Sequence, residues 1–252
     1  MTLNKKTLFK VNYTLTNYRE AAKIIIDYGS KHSSFGVSAL AVHGLIESYR
    51  NPVLLTKVNK IDMVVPDGQP VRWALNYFHK ANLKDRVYGP QLTLDVLSLA
   101  AQKKLNIYLY GSSENTLKKL AANINTRFPD IVICGMHADR FRDATTEEDE
   151  DDIRKINASN AHIVLVGRGC PRQEVWVSDH LGKINAAMMA VGAAFDFHAG
   201  VVKQAPVWMQ RMGLEWLYRF FREPGRLWKR YLVTNSLFIY LFVKKAIYSK
   251  WD

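Results

Sequence analysis

Between residues 20 and 200, short apolar runs alternate with longer stretches of helical period. The runs at 61–65 (IDMVV), 105–110 (LNIYLY), 131–134 (IVIC), 161–166 (AHIVLV) and 187–191 (AMMAV) are strand-length and rich in branched or bulky side chains. Residues 116–128 and 147–158 between them read as amphipathic helices. This alternation predicts repeated strand-helix units and a parallel sheet covered on both faces, a Rossmann-like α/β fold. No internal repeat or low-complexity linker interrupts the pattern. Pro206 is the first hinge candidate, so a Rossmann-like domain is expected over 1–202 and a basic, aromatic, helical appendage over 203–252.

In open sheets of this kind, ligands bind beyond the carboxyl ends of the strands. The loops that follow the runs are therefore the places to look: 66–70 (PDGQP), 111–113 (GSS), 167–174 (GRGCPRQE) and 192–196 (GAAFD). Gly111 and the other small residues there let backbone approach a phosphate or a sugar. Asp67 either bonds its own turn or, held in a partly desolvated cleft, takes a proton from an alcohol. The 167–174 loop has neither GxGxxG nor GxxxxGK[ST] spacing, which argues against a dinucleotide site or a P-loop. Pro171 fits a first helical turn, from which Arg172 and Gln173 either reach a nucleotide or stay exposed on a capped helix. Asp196 accepts hydrogen bonds from a ribose or base, or caps the next segment. His43 is a packed histidine or a ligand-facing one. Cys170 has no His or acid partner in the sequence and reads as structural.

Composition narrows the picture. With 48% hydrophobic residues, the 252-residue chain is too apolar to be disordered. Two cysteines, Cys134 and Cys170, build neither a disulfide framework nor a zinc site, which favours a reducing cytoplasmic setting. The first residues carry no continuous apolar segment and do not read as a signal peptide. The acidic run at 147–152 (EEDEDD) fans out around a helix rather than converging, so it is expected to be a solvated helix start and no metal site is anticipated.

The formal charge is +12, and residues 201–252 carry ten basic side chains against three acidic ones. Trp208, Trp216, Trp228 and Trp251 are interleaved with them. Such a segment seeks anions at an interface: membrane phospholipid or a pyrophosphate, with single-stranded nucleic acid or an ordinary solvated surface as alternatives. The longest apolar tract, 232–243, falls short of the roughly 20 residues that a spanning helix needs, so it can lie on a membrane but not cross one. Its exposed surface would call for lipid contact or a homo-oligomer. Residues 219, 222, 226 and 230 would share one face of a continuous helix, but Pro224 is expected to start a new helix and divide them.

Taken together, PDGQP at 66–70, DRVYGP at 85–90, GCPRQE at 169–174, VGAAFDFHAG at 191–200 and the segment 205–232 (APVWMQRMGLEWLYRFFREPGRLWKRYL) resemble the WecG/TagA/CpsF glycosyltransferases, family 26. The resemblance implies an inverting hexosyltransferase, without metal or other cofactor, peripheral to the cytoplasmic face of the cell membrane. It would move a sugar from a UDP-sugar to a sugar on polyprenyl (undecaprenyl) diphosphate, for extracellular polysaccharide or wall polymer. By the same resemblance, Asp67 matches the base, and Gln173 and Asp196 fall in motifs lining the nucleotide-sugar pocket. Arg219 and Arg226, with Lys229 or Arg230, match a tail that closes over the site and steadies the departing diphosphate. One departure is evident: many members carry Thr-x-Asn where this chain has Ala41, Val42 and His43. The donor sugar is therefore left open among N-acetylmannosamine, glucose and another hexose. The competing reading is a non-catalytic nucleic-acid-binding protein that uses the basic aromatic tail. A nicotinamide-dependent oxidoreductase is disfavoured by the missing GxGxxG.

Overall fold

The computed structural model describes residues 3–248, apart from the side chain of Arg226. Lys250, Trp251 and Asp252 of the basic tail lie outside the described residues, as does that side chain. The chain opens with an antiparallel hairpin of β1 (Lys5–Leu8) and β2 (Val11–Thr14). There follow α1 (Tyr18–Ser30), β3 (Phe35–Leu40), α2 (Val42–Arg50), α3 (Pro52–Lys60), β4 (Met63–Pro66), α4 (Gln69–His79) and α5 (Gly89–Gln102). Next come β5 (Asn106–Gly111), α6 (Glu114–Arg127), β6 (Val132–His137), α7 (Thr146–Ala158), β7 (Ile163–Gly167), α8 (Arg172–His180), β8 (Ala187–Ala190) and α9 (Ala194–His198). The chain ends with α10 (Val207–Arg211), α11 (Glu215–Arg222) and α12 (Pro224–Tyr248).

Six strands form one parallel sheet in the order β4-β3-β8-β7-β5-β6. All five runs anticipated from the apolar pattern are strands of this sheet, and both anticipated helices are present as α6 and α7. The sheet is buried on both faces except at its edge strand β6, where Val132 and Met136 are exposed. On one side Val37, Leu109, Leu165 and Met189 pack against α1 and α5; on the other Val64, Val164, Val166 and Met188 pack towards α3 and α8. Each long apolar strand residue so buried contributes about 1.5–3 kcal/mol.

Two elements have no counterpart in the apolar pattern. Strand β3 (FGVSAL) is interrupted by Gly36 and Ser38, yet it pairs with both β4 and β8 at the heart of the sheet. Gly36 is there for packing: a Cβ would meet Val177 Cγ1 and Leu181 Cδ2 at 3.0 Å each. Ser38 is buried because its hydroxyl donates to Glu174 Oε1 at 3.1 Å. The hairpin turns through Phe9 and Lys10, both at positive φ (44° and 72°), without the Asn-Gly or Asp-Gly pair that usually signals such a turn. Phe9 is held there by edge-to-face packing on Phe238 of α12, ring centroids 5.6 Å apart.

Two sequence expectations are corrected. Pro171 is not in the first turn of α8 but is the capping residue before it. The acidic run does start a helix, with a capping box between Thr145 and Glu148, but it is not solvated throughout. Asp152 is 1% exposed, bound by Arg140 Nη1 at 2.6 Å and Nη2 at 2.9 Å and by the Tyr110 phenol at 2.8 Å. Burial opposes its ionisation, and these hydrogen bonds override it, holding the carboxyl below its usual range.

Past α9, Pro224 begins a new helix, so Arg219 and Arg222 lie on α11 while positions 226 and 230 lie on α12. The α12 helix returns across α2, and its Phe238 and Leu241 are buried in the cluster that holds Phe9 and Tyr13. Of the apolar tract, Phe238 and Leu241 thus face inward, while Leu232, Val233, Ile239, Tyr240 and Val243 stay exposed. Among the described residues, no helix is long and apolar enough to cross a membrane.

Candidate active site

The carboxyl ends of the strands converge on a cleft of about 590 Å³, roofed by α11 and α12. That volume lies within the range of small-molecule sites. Asp67 follows β4 directly. Its amide donates to Leu40 O at 3.4 Å, and Val87 N–H donates to Pro66 O at 2.9 Å, which sets the 84–88 segment beside it. The Asp67 carboxylate accepts from the Gly89 amide at the first turn of α5, a 14-residue helix whose dipole favours an anion there.

Its electrostatics are unusual for a carboxylate. Burial is the main cause that pushes the Asp67 pKa up to about 7; Arg86 and the Gly89 amide pull it back, while Glu215 pushes further up. A group balanced between its two forms near neutrality is suited to accept a proton.

Of the residues singled out in the sequence, Asp67, His43, Gln173, Asp196, Arg219 and Arg230 are brought together around this cleft. Gln173 is buried; its Nε2 donates to Glu174 Oε1 at 2.9 Å, while Oε1 has no partner and lies beneath Gly192. Burial, then Arg230, lowers the His43 pKa to about 4, so the imidazole is neutral at pH 7. Arg219 reaches in from α11 with its buried Nε unpartnered and its guanidinium 5.9 Å from the Phe197 ring. The Cys170 thiol is pushed well above its ordinary pKa by burial and by Glu174, so it is no nucleophile.

Three others stand off. Arg172 turns to Asp139, Nη2 to Oδ1 at 3.0 Å. Lys229 is exposed and stacked over Trp228, 5.6 Å from the ring. Gly111 does not line the cleft; at φ 108° it lets β5 approach β7, and a Cβ would fall 2.8 Å from the Gly167 carbonyl carbon. We therefore expect Gly111→Ala to destabilise the fold by about 1–3 kcal/mol, read as a lower midpoint in chemical denaturation. An unchanged midpoint would show that the two strands can part without cost.

Several residues of the cleft carried no role in the sequence reading. Arg86 and Tyr88 lie in DRVYGP, beside Asp67, and both reach Glu215 of α11. Asp139 and Arg168 line the opposite end, 3.2 Å apart from Oδ1 to Nη2, with Asp139 Oδ2 unpartnered. A charged pair, Asp85-Arg86, two residues before the Gly89-Pro90 of a helix start was the available signal for Arg86. Among the described residues, no group of three or more His, Cys, Asp or Glu side chains is arranged to hold a metal ion.

A family model described as "Glycosyl transferase WecG/TagA/CpsF family" matches residues 6–251. The chain belongs to this family. Curated relatives agree. An N-acetylglucosaminyldiphosphoundecaprenol N-acetyl-beta-D-mannosaminyltransferase of Bacillus subtilis (strain 168) is 31% identical over 172 residues. That match covers 68% of this chain and 64% of the relative, less than two thirds of its length. Proteins of the same name from Bacillus spizizenii and Staphylococcus aureus (strain MW2) are 30% and 27% identical, over 74% and 75% of this chain and 70% of each relative. By its description, the WecG/TagA/CpsF family is one of glycosyl transferases.

Proposed function

We propose that the chain is an inverting hexosyltransferase that moves a sugar from a UDP-sugar to a polyprenyl diphosphate-linked sugar, in the synthesis of a wall or extracellular polymer. The acceptor class is taken from the names of the relatives. The observation that carries the reading is the meeting, in one cleft, of a carboxylate balanced near neutrality with arginines from the C-terminal helices.

In the proposed step, the Asp67 carboxylate takes the proton of the acceptor hydroxyl as its oxygen attacks the anomeric carbon. The bond from that carbon to UDP breaks on the far face, and the electron pair leaves with the diphosphate. Arg219 and Arg230 meet the negative charge that grows there. No divalent cation is required in this reading, since the protein supplies the positive charge itself. Residues 203–252 serve as a site-closing appendage on the catalytic domain 1–202. The exposed Trp208, Trp216, Phe221, Trp228 and Leu232 suit the headgroup region of a membrane. The lipid-linked acceptor would be met there, on the cytoplasmic face.

The test is to incubate the full chain with a chelator, a panel of UDP-hexoses and UDP-N-acetylhexosamines, and a short-chain polyprenyl-diphosphate sugar. Mass spectrometry of the lipid product should find one added hexose or N-acetylhexosamine unit from at least one donor. No transfer from any donor, or transfer only when a divalent ion is restored, would contradict the reading. Salt-sensitive binding of oligonucleotides, with no transfer, would favour the nucleic-acid alternative.

A further inference from the structure

Glu215 is the first residue of α11 and is itself only 9% exposed. One carboxylate oxygen lies 2.8 Å from Arg86 Nη2, and the other accepts from the Tyr88 phenol at 2.6 Å. The Arg86 guanidinium also stacks over the Tyr88 ring, 4.1 Å from its centroid. This buried cluster ties the appendage to the segment that flanks Asp67. Within it, Arg86 hydrogen-bonds to Glu215, while Asp67 feels Arg86 through its charge alone.

We propose that Glu215 is a positioning residue for Asp67: it holds the Arg86 guanidinium away from the base, so that the base is set for proton transfer only while the appendage is docked. The proposal rests on the reading of Asp67 as the base. With α11 lifted, Arg86 loses its carboxylate partner, and Asp67, whose charge already acts on it, is left to pair with it. An ion pair there would leave a poor proton acceptor. Closure of the appendage over the substrates and readiness of the base thus become one event.

The groups that face Asp67 define what must be measured. They are Arg86 and Tyr88 from the 84–88 segment, Glu215 and Arg219 from α11, Tyr18 from α1 and Tyr13 from β2, together with the Gly89 amide. Two of these groups are guanidinium groups, Arg86 and Arg219, and one is a carboxylate, Glu215. Glu215→Gln keeps the shape and removes the charge, leaving Arg86 uncompensated. Arg86→Gln removes the cation instead.

The experiment is a titration of the Asp67 carboxyl carbon by NMR in full-length protein labelled with 13C-aspartate, the signal assigned by its loss in Asp67→Asn. The same variants are run as pH profiles of kcat/KM. The wild-type midpoint is expected near 7. Glu215→Gln should lower it by roughly 1 unit or more, with the alkaline plateau of kcat/KM reduced; Glu215→Asp should restore it, and Arg86→Gln should move it upward. Should Glu215→Gln fail to fold, the upward move in Arg86→Gln carries the test. A midpoint unmoved by Glu215→Gln, even with turnover lost, would reduce Glu215 to a structural contact and overturn the proposal. Turnover that persists in Asp67→Asn is a different failure: it removes the base itself.

Discussion

Replacing Asp67 by Asn should lower kcat by about 10²–10⁴-fold, the usual contribution of a general base, while UDP affinity stays within a few-fold. Asn keeps the hydrogen-bonding outline towards the Gly89 amide but accepts no proton. An independent readout comes from stability. Folding raises the Asp67 pKa from 3.8 to about 7, so folding disfavours the ionised form. The sign follows: the penalty is absent below about pH 4, builds as pH rises through about 7, and is constant above that. Asp67→Asn should therefore raise the melting temperature relative to wild type at pH 8 and change it little at pH 4.5. Retained turnover, or no difference in stability at pH 8, would contradict the role and the environment assigned to this carboxyl.

The second large effect is expected at Arg219. Its guanidinium enters the cleft from α11 with Nε buried and unpartnered, a donor with no acceptor until a ligand supplies one. In the reading above, the acceptor is the departing diphosphate, whose charge is greatest in the transition state. Arg219→Gln should then reduce kcat by about 10²–10³-fold, with a smaller change in the KM for the donor. Arg222 lies on the same helix but is exposed and does not line the cleft, so Arg222→Gln should retain most of the turnover in a detergent assay. Equal losses in the two variants would mean that appendage charge as a whole, rather than one placed guanidinium, is what matters.

Most of the sheet was legible because its inner strands are buried on both faces, which forces continuous apolar runs such as 161–166 that no helix period disguises. Strand β3 escaped for the opposite reason. Gly36 and Ser38 are set by what lies across the sheet, the α8 side chains and Glu174, and that partnership is invisible along the chain. The Phe9-Lys10 turn was hidden likewise, since its strained backbone is held by a helix more than 200 residues away. Asp152 shows the same limit: six adjacent acids look alike in sequence, and only Arg140 and Tyr110 single one out.

Within the cleft, Asp67, Gln173 and Asp196 could be named because each follows a strand end, where parallel sheets bind ligands. Arg219 and Arg230 were legible as a basic face, and Pro224 correctly divided them between two helices. Glu215 was not, since it reads as one acid among ten basic residues until α11 folds onto Arg86 and Tyr88. Lys229 and Arg172 were taken with their neighbours; a stacked Trp228 and a buried Asp139 hold them elsewhere.

The central claim is that the base and the appendage arginines flank a single donor site. A crystal structure of the full chain with UDP tests it most directly. The account predicts the diphosphate in the cleft beyond β4, β7 and β8, within hydrogen-bonding distance of Arg219 or Arg230 and facing the Asp67 carboxylate. UDP bound in a pocket that neither Asp67 nor those arginines border would contradict it.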